Sequence, residues 1–260
     1  MPRVKVNGIN LYYEVHGRGF PVVFQHGFTG TTNSWRPQIP ALAQGYRFII
    51  YDARGHGQSD SPPSVDQYSA DIVVEDLRQF LRSLKIDRAV VGGLSMGGYQ
   101  SLRFYLRHPE MVAALILMDT GPGYRNPAHR DEWNHQQEER AKLLETQGMT
   151  AYVPMAPSYV NKEVLLKQNP IGLANMGRKV VAQHDSAVIE SLGNIKVPAL
   201  VLVGEKDTPF LAAAEYMGKV IPGAQRKFIP NAGHSANIDN PAEFNRAILD
   251  FLGKLNLPKG

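Results

Sequence analysis

The run Ala89-Val90-Val91-Gly92-Gly93-Leu94-Ser95-Met96-Gly97-Gly98 restricts this chain to very few folds. It reads as a buried strand, a sharp turn and then a helix, with Gly93, Ser95 and Gly97 forming G-x-S-x-G at the turn. A turn of this kind holds a serine hydroxyl out at the carboxyl end of a sheet, where it can attack a carbonyl. Glycine is required on both sides because neighbouring backbone comes so close that a Cβ would clash. Alone, the pattern recurs by accident. Its position between an apolar strand and an amphipathic helix gives it meaning.

The rest of the chain alternates short apolar runs with helical patterns, which predicts a mostly parallel sheet with helices on both faces. Lys5-Val6 and Leu11 to Val15 flank Asn7-Gly8-Ile9-Asn10 as an opening antiparallel hairpin. Further strands are expected at Pro21 to Gln25, Arg47 to Tyr51, Ala89 to Gly92, Ala113 to Met118, Ala199 to Val203 and Arg226 to Ile229. Val73, Leu77, Phe80, Leu81 and Leu84 share one helical face. So do Phe244, Ile248, Phe251 and Leu252, behind an Asn240 cap, with Pro241 next and Glu243 three residues on. That last helix is expected to close the sheet.

From about Gly121 to Leu192 the strand pattern stops. Met149, Tyr152, Met155, Tyr159 and Met176 are dispersed there among polar and charged residues. Arg130 to Gln147 is helical in pattern and ends at Gly148, and Asn161 can cap another helix. The expected organisation is a core of residues 1–120 and 193–260 with a helical cap, residues 121–192, inserted between two strands. Ordinary crossover helices are the plainer alternative.

Composition narrows the chemistry. Hydrophobic residues make up 43% and charged residues 20%, as in an ordinary globule, and the net charge of +4 is scattered. No basic cluster marks a nucleic-acid surface. With no cysteine, disulfides, zinc thiolates and a cysteine nucleophile are excluded. No H-e-x-x-h spacing suggests a metal, and no cofactor is expected. The N-terminal residues lack a signal-like apolar core and no run is long enough to span a bilayer, so a cytoplasmic location without membrane contact is expected. Oligomeric state is not legible.

A serine hydroxyl needs a base, and the base needs an orienting group. Leu200-Val201-Leu202-Val203-Gly204-Glu205-Lys206-Asp207 places Asp207 on a loop after one strand, and Phe228-Ile229-Pro230-Asn231-Ala232-Gly233-His234 places His234 after the next. The order Ser95, Asp207, His234 suits nucleophile, acid and base at one sheet edge. Asp119, ending the preceding strand, is the rival acid. Gln25-His26-Gly27-Phe28 also follows a strand. The backbone N–H groups of Phe28 and Met96 can therefore face a tetrahedral oxyanion from two sides.

These segments resemble the α/β-hydrolase superfamily. His26-Gly27-Phe28 is similar to its oxyanion motif, and Asp52-Ala53-Arg54-Gly55-His56-Gly57-Gln58-Ser59 to its D-x-R-G-x-G-x-S segment. Gly93 to Gly98, Gly204 to Asp207 and Ala232 to His234 are similar to its nucleophile, acid and base segments. The resemblance implies that fold over essentially the whole chain, with an eight-stranded, mostly parallel sheet. It is strongest toward small carboxylesterases, 3-oxoadipate enol-lactonases and cofactor-free haloperoxidase-like enzymes. It implies structural roles for His26, His56 and Asp52, with Asp52 anchoring its own loop together with Arg54. Serine at the elbow, where dehalogenases and epoxide hydrolases of this fold carry aspartate, implies acyl chemistry. The expected partner is a small-molecule ester or lactone, cleaved through an acyl-enzyme on Ser95. The alternatives are an enol-lactonase or carbon–carbon bond hydrolase with the same triad, and a weakly hydrolytic ligand receptor.

Overall fold

The computed structural model describes residues 2–156 and 161–257. Tyr159, expected in the cap, lies outside them. Eight strands form one sheet: β1 (Arg3–Val6), β2 (Ile9–His16), β3 (Pro21–Gln25), β4 (Arg47–Tyr51), β5 (Ala89–Leu94), β6 (Val112–Met118), β7 (Ala199–Gly204) and β8 (Gln225–Ile229). Their spatial order is β1-β2-β4-β3-β5-β6-β7-β8. The β1–β2 and β2–β4 pairs are antiparallel and every later pair is parallel. All the expected strands are present, several of them a residue or two longer than the apolar runs alone suggest.

The strands sort their side chains by the two-residue period of the pleat. Val23, Ile49, Val91, Leu115, Leu117 and Val201 enter one core layer. Val22, Phe24, Ile50, Val90, Ile116 and Leu202 enter the other. Both faces are covered, which explains why β5, β6 and β7 are buried along their whole length. Helices α1 (Ala70–Ser83) and α2 (Met96–Arg107) serve the first layer through Val73, Leu77, Phe80 and Leu102. In α1 the Ser69 side chain accepts from the Ile72 N–H and so caps the helix.

Between β6 and β7 the described residues contain helices and no strand. Helix α3 (Pro127–Tyr152) is interrupted at Gly148, whose φ of 70° and ψ of −168° are not helical. Helices α4 (Lys162–Leu166) and α5 (Pro170–Met176) follow, each capped by an asparagine side chain, Asn161 and Asn169. Ala141, Leu144, Met149, Tyr152, Leu165, Leu173 and Ala174 give this helical insertion a small core of its own. Beyond β7 come α6 (Thr208–Val220) and, after β8, α7 (Pro241–Gly253). The Asn240 side chain accepts from the Glu243 N–H, as its sequence position indicates. Helix α7 lies against the second layer through Phe244, Ile248, Phe251 and Leu252. It therefore covers a sheet face.

The tightest place in the fold is where β5 turns into α2. A Cβ on Gly93 would stand 2.6 Å from the Gly97 carbonyl oxygen and 2.7 Å from that of Gln25, and one on Gly97 would collide with the carbonyls of Gln25 and His26. Two backbones thus touch where side chains would normally separate them. Gly97→Ala is expected to lower the unfolding free energy by about 3 kcal/mol, since rigid backbone has nowhere to move. Gly253→Ala, with open space around the new methyl, is expected to leave it unchanged or slightly raised. Urea unfolding of the two variants checks this.

Candidate active site

Ser95 sits between β5 and α2 with φ 53° and ψ −113°, outside the regions an L-residue prefers. Its backbone is pinned from both sides. The Ser95 N–H donates to the Met118 carbonyl at 2.8 Å, and the Thr120 hydroxyl donates to the Ser95 carbonyl at 2.7 Å. The strained angles turn the side chain away from the sheet and toward the loops after β7 and β8. There the Ser95 hydroxyl meets His234 Nε2 at 3.0 Å. On the other side of the ring, His234 Nδ1 meets Asp207 Oδ2 at 2.9 Å. With Nδ1 protonated, the ring donates to the carboxylate and accepts from the hydroxyl. Asp207 is buried, and the Phe210 ring stacks on His234 with centroids 4.8 Å apart.

Asp119 is fully buried just after β6, with φ 44°. Its side-chain hydrogen bonds go to backbone. Oδ1 accepts from the Gly204 N–H at 2.8 Å and Oδ2 from the Ala236 N–H at 3.2 Å. It therefore ties the end of β7, which leads to Asp207, to the residues just past His234. Burial pushes its carboxyl up to about 7, against the two amides and the nearby imidazole, which favour the charged form. The structure brings Asp207, and not Asp119, to the ring nitrogen.

The loop after β3 carries Gly27 and Phe28 past the serine. A Cβ on Gly27 would lie 3.4 Å from Ser95 Cβ, so this backbone passes directly over the elbow. Met96 opens α2, where the first N–H groups of a helix have no partner within it. Phe28, Met96, Ser95 and His234 line one cavity.

Two buried histidines fix that loop. His26 Nε2 accepts from the Ala53 N–H at 3.0 Å and Nδ1 donates to the Gly27 carbonyl at 2.7 Å. His56 Nε2 accepts from the Thr29 N–H at 3.2 Å and Nδ1 donates to the Arg54 carbonyl at 3.1 Å. Burial holds both imidazoles below their ordinary range. Each is therefore a neutral ring joining two backbone segments. Asp52 works the same way, accepting from the N–H of Thr32 at 2.6 Å and of Gln58 at 2.8 Å. The expectation that Arg54 anchors this loop with Asp52 is corrected. Arg54 instead forms a buried bidentate pair with Asp76 of α1, at 2.8 and 2.6 Å, and also donates to the Asn7 carbonyl. Asp76 lies on the same helix face as Val73 and Phe80, and a carboxylate on an apolar stripe is the signal that could have revealed it.

The cavity above Ser95 has a volume of about 950 Å³. Phe28 comes from the loop after β3 and Met96 and Phe210 from the first turns of α2 and α6, while the insertion supplies Trp133, Arg140, Tyr152, Met155 and Val164. Of the methionines and tyrosines dispersed through the insertion, Tyr152 and Met155 line the cavity, whereas Met149 and Met176 are packed into core layers. Sequence reading missed Gln168. Its Nε2 donates to the Thr29 carbonyl at 2.5 Å and its Oε1 accepts from the Gly57 N–H at 3.2 Å, which locks the insertion onto the loops after β3 and β4. No local pattern marks a contact across 139 residues. No cluster of three or more His, Cys, Asp or Glu suited to a metal ion occurs among the described residues, and none of their helices is long and apolar enough to cross a membrane.

A family model for the alpha/beta hydrolase fold matches residues 21–153. A Bacillus subtilis (strain 168) protein named "Putative 2-succinyl-6-hydroxy-2,4-cyclohexadiene-1-carboxylate synthase" is 30% identical over 246 residues, 89% of this chain and 89% of its own. An enol-lactonase from Burkholderia xenovorans LB400 superposes with a TM-score of 0.85 at 27% identity, over 97% of this chain and 100% of its own. A thermophilic esterase from Thermogutta terrifontis, malate bound, superposes with a TM-score of 0.88 at 28% identity, over 98% and 99%.

Asp119→Asn turns one acceptor into a donor facing a backbone N–H. It is expected to cost about 1–3 kcal/mol of stability, the penalty for buried polar groups left unpaired. Denaturant unfolding at neutral pH measures it.

Proposed function

The chain belongs to the alpha/beta hydrolase fold family, and on that premise we propose that it is a serine hydrolase of small carboxylic esters. One observation carries the reading: an unbroken hydrogen-bonded series runs from Asp207 through His234 to Ser95 at the wall of a cavity. His234 takes the Ser95 proton as the oxygen attacks the ester carbonyl. The Phe28 and Met96 amides hold the developing oxyanion, and preorganised donors of this kind contribute more in a water-poor site than in solvent. His234 then gives the proton to the departing alcohol. Water, deprotonated by the same imidazole, attacks the acyl-enzyme and releases the acid. Asp207 keeps the ring in the Nδ1–H tautomer and stabilises its charged form.

In this reading residues 121–192 are a cap over the core of 1–120 and 193–260. The volume above Ser95 lies near the upper end of small-molecule sites, roughly 300–1,000 Å³, so both halves of a small ester fit beneath the cap. A lactone is an ester closed on itself and needs no other groups. The structural similarity to an enol-lactonase makes an enol-lactone the second substrate to try. A carbon–carbon bond hydrolase would use the same three side chains and is separated from these by assaying a vinylogous diketone alongside the esters.

Ser95→Ala is expected to remove turnover of p-nitrophenyl butyrate, leaving less than a few per cent, with an unchanged circular dichroism spectrum. A fluorophosphonate probe is expected to label wild type and not the variant. Failure to label wild type favours a non-hydrolytic receptor. Asp207→Asn is expected to lower kcat far more than Asp119→Asn, because only the first leaves His234 in the wrong tautomer. The reverse ranking reassigns the acid to Asp119.

A further inference from the structure

The wall of the cavity carries side-chain charge of one sign. Among the described residues, Arg36 and Arg140 line it, and no aspartate or glutamate does. The two arginines differ in what holds them. Arg36 is neutralised outside the pocket, its Nη1 and Nη2 each donating to Glu14 at 2.6 Å. Arg140 extends from α3 with its guanidinium carbon 5.2 Å from the centroid of the Phe28 ring. Its one side-chain hydrogen bond among the described residues runs to a neutral acceptor, Gln137 Oε1, at 3.1 Å.

The glutamates nearest Arg140 on the same helix are engaged elsewhere. Glu138 and Glu145 both grip Arg178 in bidentate fashion, and Glu139 pairs with Lys142. The positions one turn from Arg140 are Gln136, Gln137, Leu143 and Leu144, so none can supply a counter-ion. A guanidinium partly shielded by an aromatic face gives up hydration, and cation–π contact replaces only part of it. Its fork of N–H groups matches a carboxylate bidentately.

We infer that Arg140 is an anchoring site for a carboxylate carried by the substrate, so that the ester or lactone cleaved at Ser95 is an acidic one. The inference rests on reading Ser95 as the nucleophile and adds the substrate class. Phe28 connects the two places. Its backbone N–H faces the reacting carbonyl and its ring supports the guanidinium. The anchored carboxylate therefore sits on the cap side of the loop after β3, with the scissile bond on the serine side. A cationic substrate would meet like charge and no counter-ion.

The test compares mono-p-nitrophenyl glutarate, which keeps a free carboxylate, with its methyl-capped diester. In wild type the ratio of kcat/KM for the acid over the diester is expected to be about tenfold or more, the size of one charge-assisted hydrogen bond. In Arg140→Gln the ratio is expected to fall to about one, and in Arg140→Lys to lie between. Because it is a ratio within one variant, a general loss of stability or of active enzyme cancels. Glutarate binding to Ser95→Ala, measured by titration calorimetry, is expected to weaken about tenfold or more when Arg140→Gln is added. A wild-type ratio near one, or a ratio and glutarate affinity that survive Arg140→Gln, overturns the proposal. Arg140-dependent glutarate binding in a protein that cleaves neither ester overturns the serine reading and upholds the carboxylate site.

Discussion

Everything at this site depends on the close approach of two backbones at the end of β5. Gly93 and Gly97 let the β5–α2 turn press against the carbonyls of Gln25 and His26, so the elbow and the loop after β3 are held as one unit. That contact keeps Ser95 at φ 53°. A non-glycine residue held in sparsely populated backbone space costs about 1–3 kcal/mol. Neighbouring structure must over-determine it, and here the Met118 carbonyl and the Thr120 hydroxyl do so. One contact therefore both aims the serine oxygen and fixes the distance from it to the Phe28 amide.

A second level of order holds the loops around that contact. Neutral, buried His26 and His56 each join two backbone segments, and Asp52 joins two more. Asp119 does the same for the two loops that bring in Asp207 and His234. These side chains contact backbone amides and carbonyls, which have fixed positions, and not one another's flexible ends. Ser95, Asp207 and His234 thus inherit the rigidity of the sheet edge. The insertion is tied on by the same kind of contact, through Gln168 to the Thr29 carbonyl and the Gly57 N–H and Asn175 to the Pro63 carbonyl, and by Met176 and Val180 packed into the first core layer.

The strands and the Ser95, Asp207, His234 constellation were legible because each rests on local pattern. Val22-Val23-Phe24 and Leu200-Val201-Leu202-Val203 announce buried strands by composition, and the loop residues follow strand ends at short, fixed spacing. Asn240 and Asn161 announce helix starts through their own side chains. Long-range pairing was not legible. Arg54 has an acidic neighbour in Asp52, yet it pairs with Asp76, 22 residues on, while each Asp52 oxygen accepts from a backbone amide, of Thr32 and of Gln58. The insertion resisted reading for the same reason. Helix α3 has no clean apolar stripe, since its two sides face the cavity and the Arg178 clasp, and Met149 and Met176 pack into cores that only the tertiary fold creates.

The central claim is that the Ser95 oxygen becomes covalently acylated in the course of turnover. Rapid acid quench of the protein with p-nitrophenyl butyrate, followed by intact-mass and peptide mass spectrometry, tests it directly. The account predicts a mass increase of one butyryl group, carried by the peptide containing Ser95, that appears and decays at rates matching turnover. Ester cleavage with no adduct at any quench time, or an adduct on another residue, would contradict it.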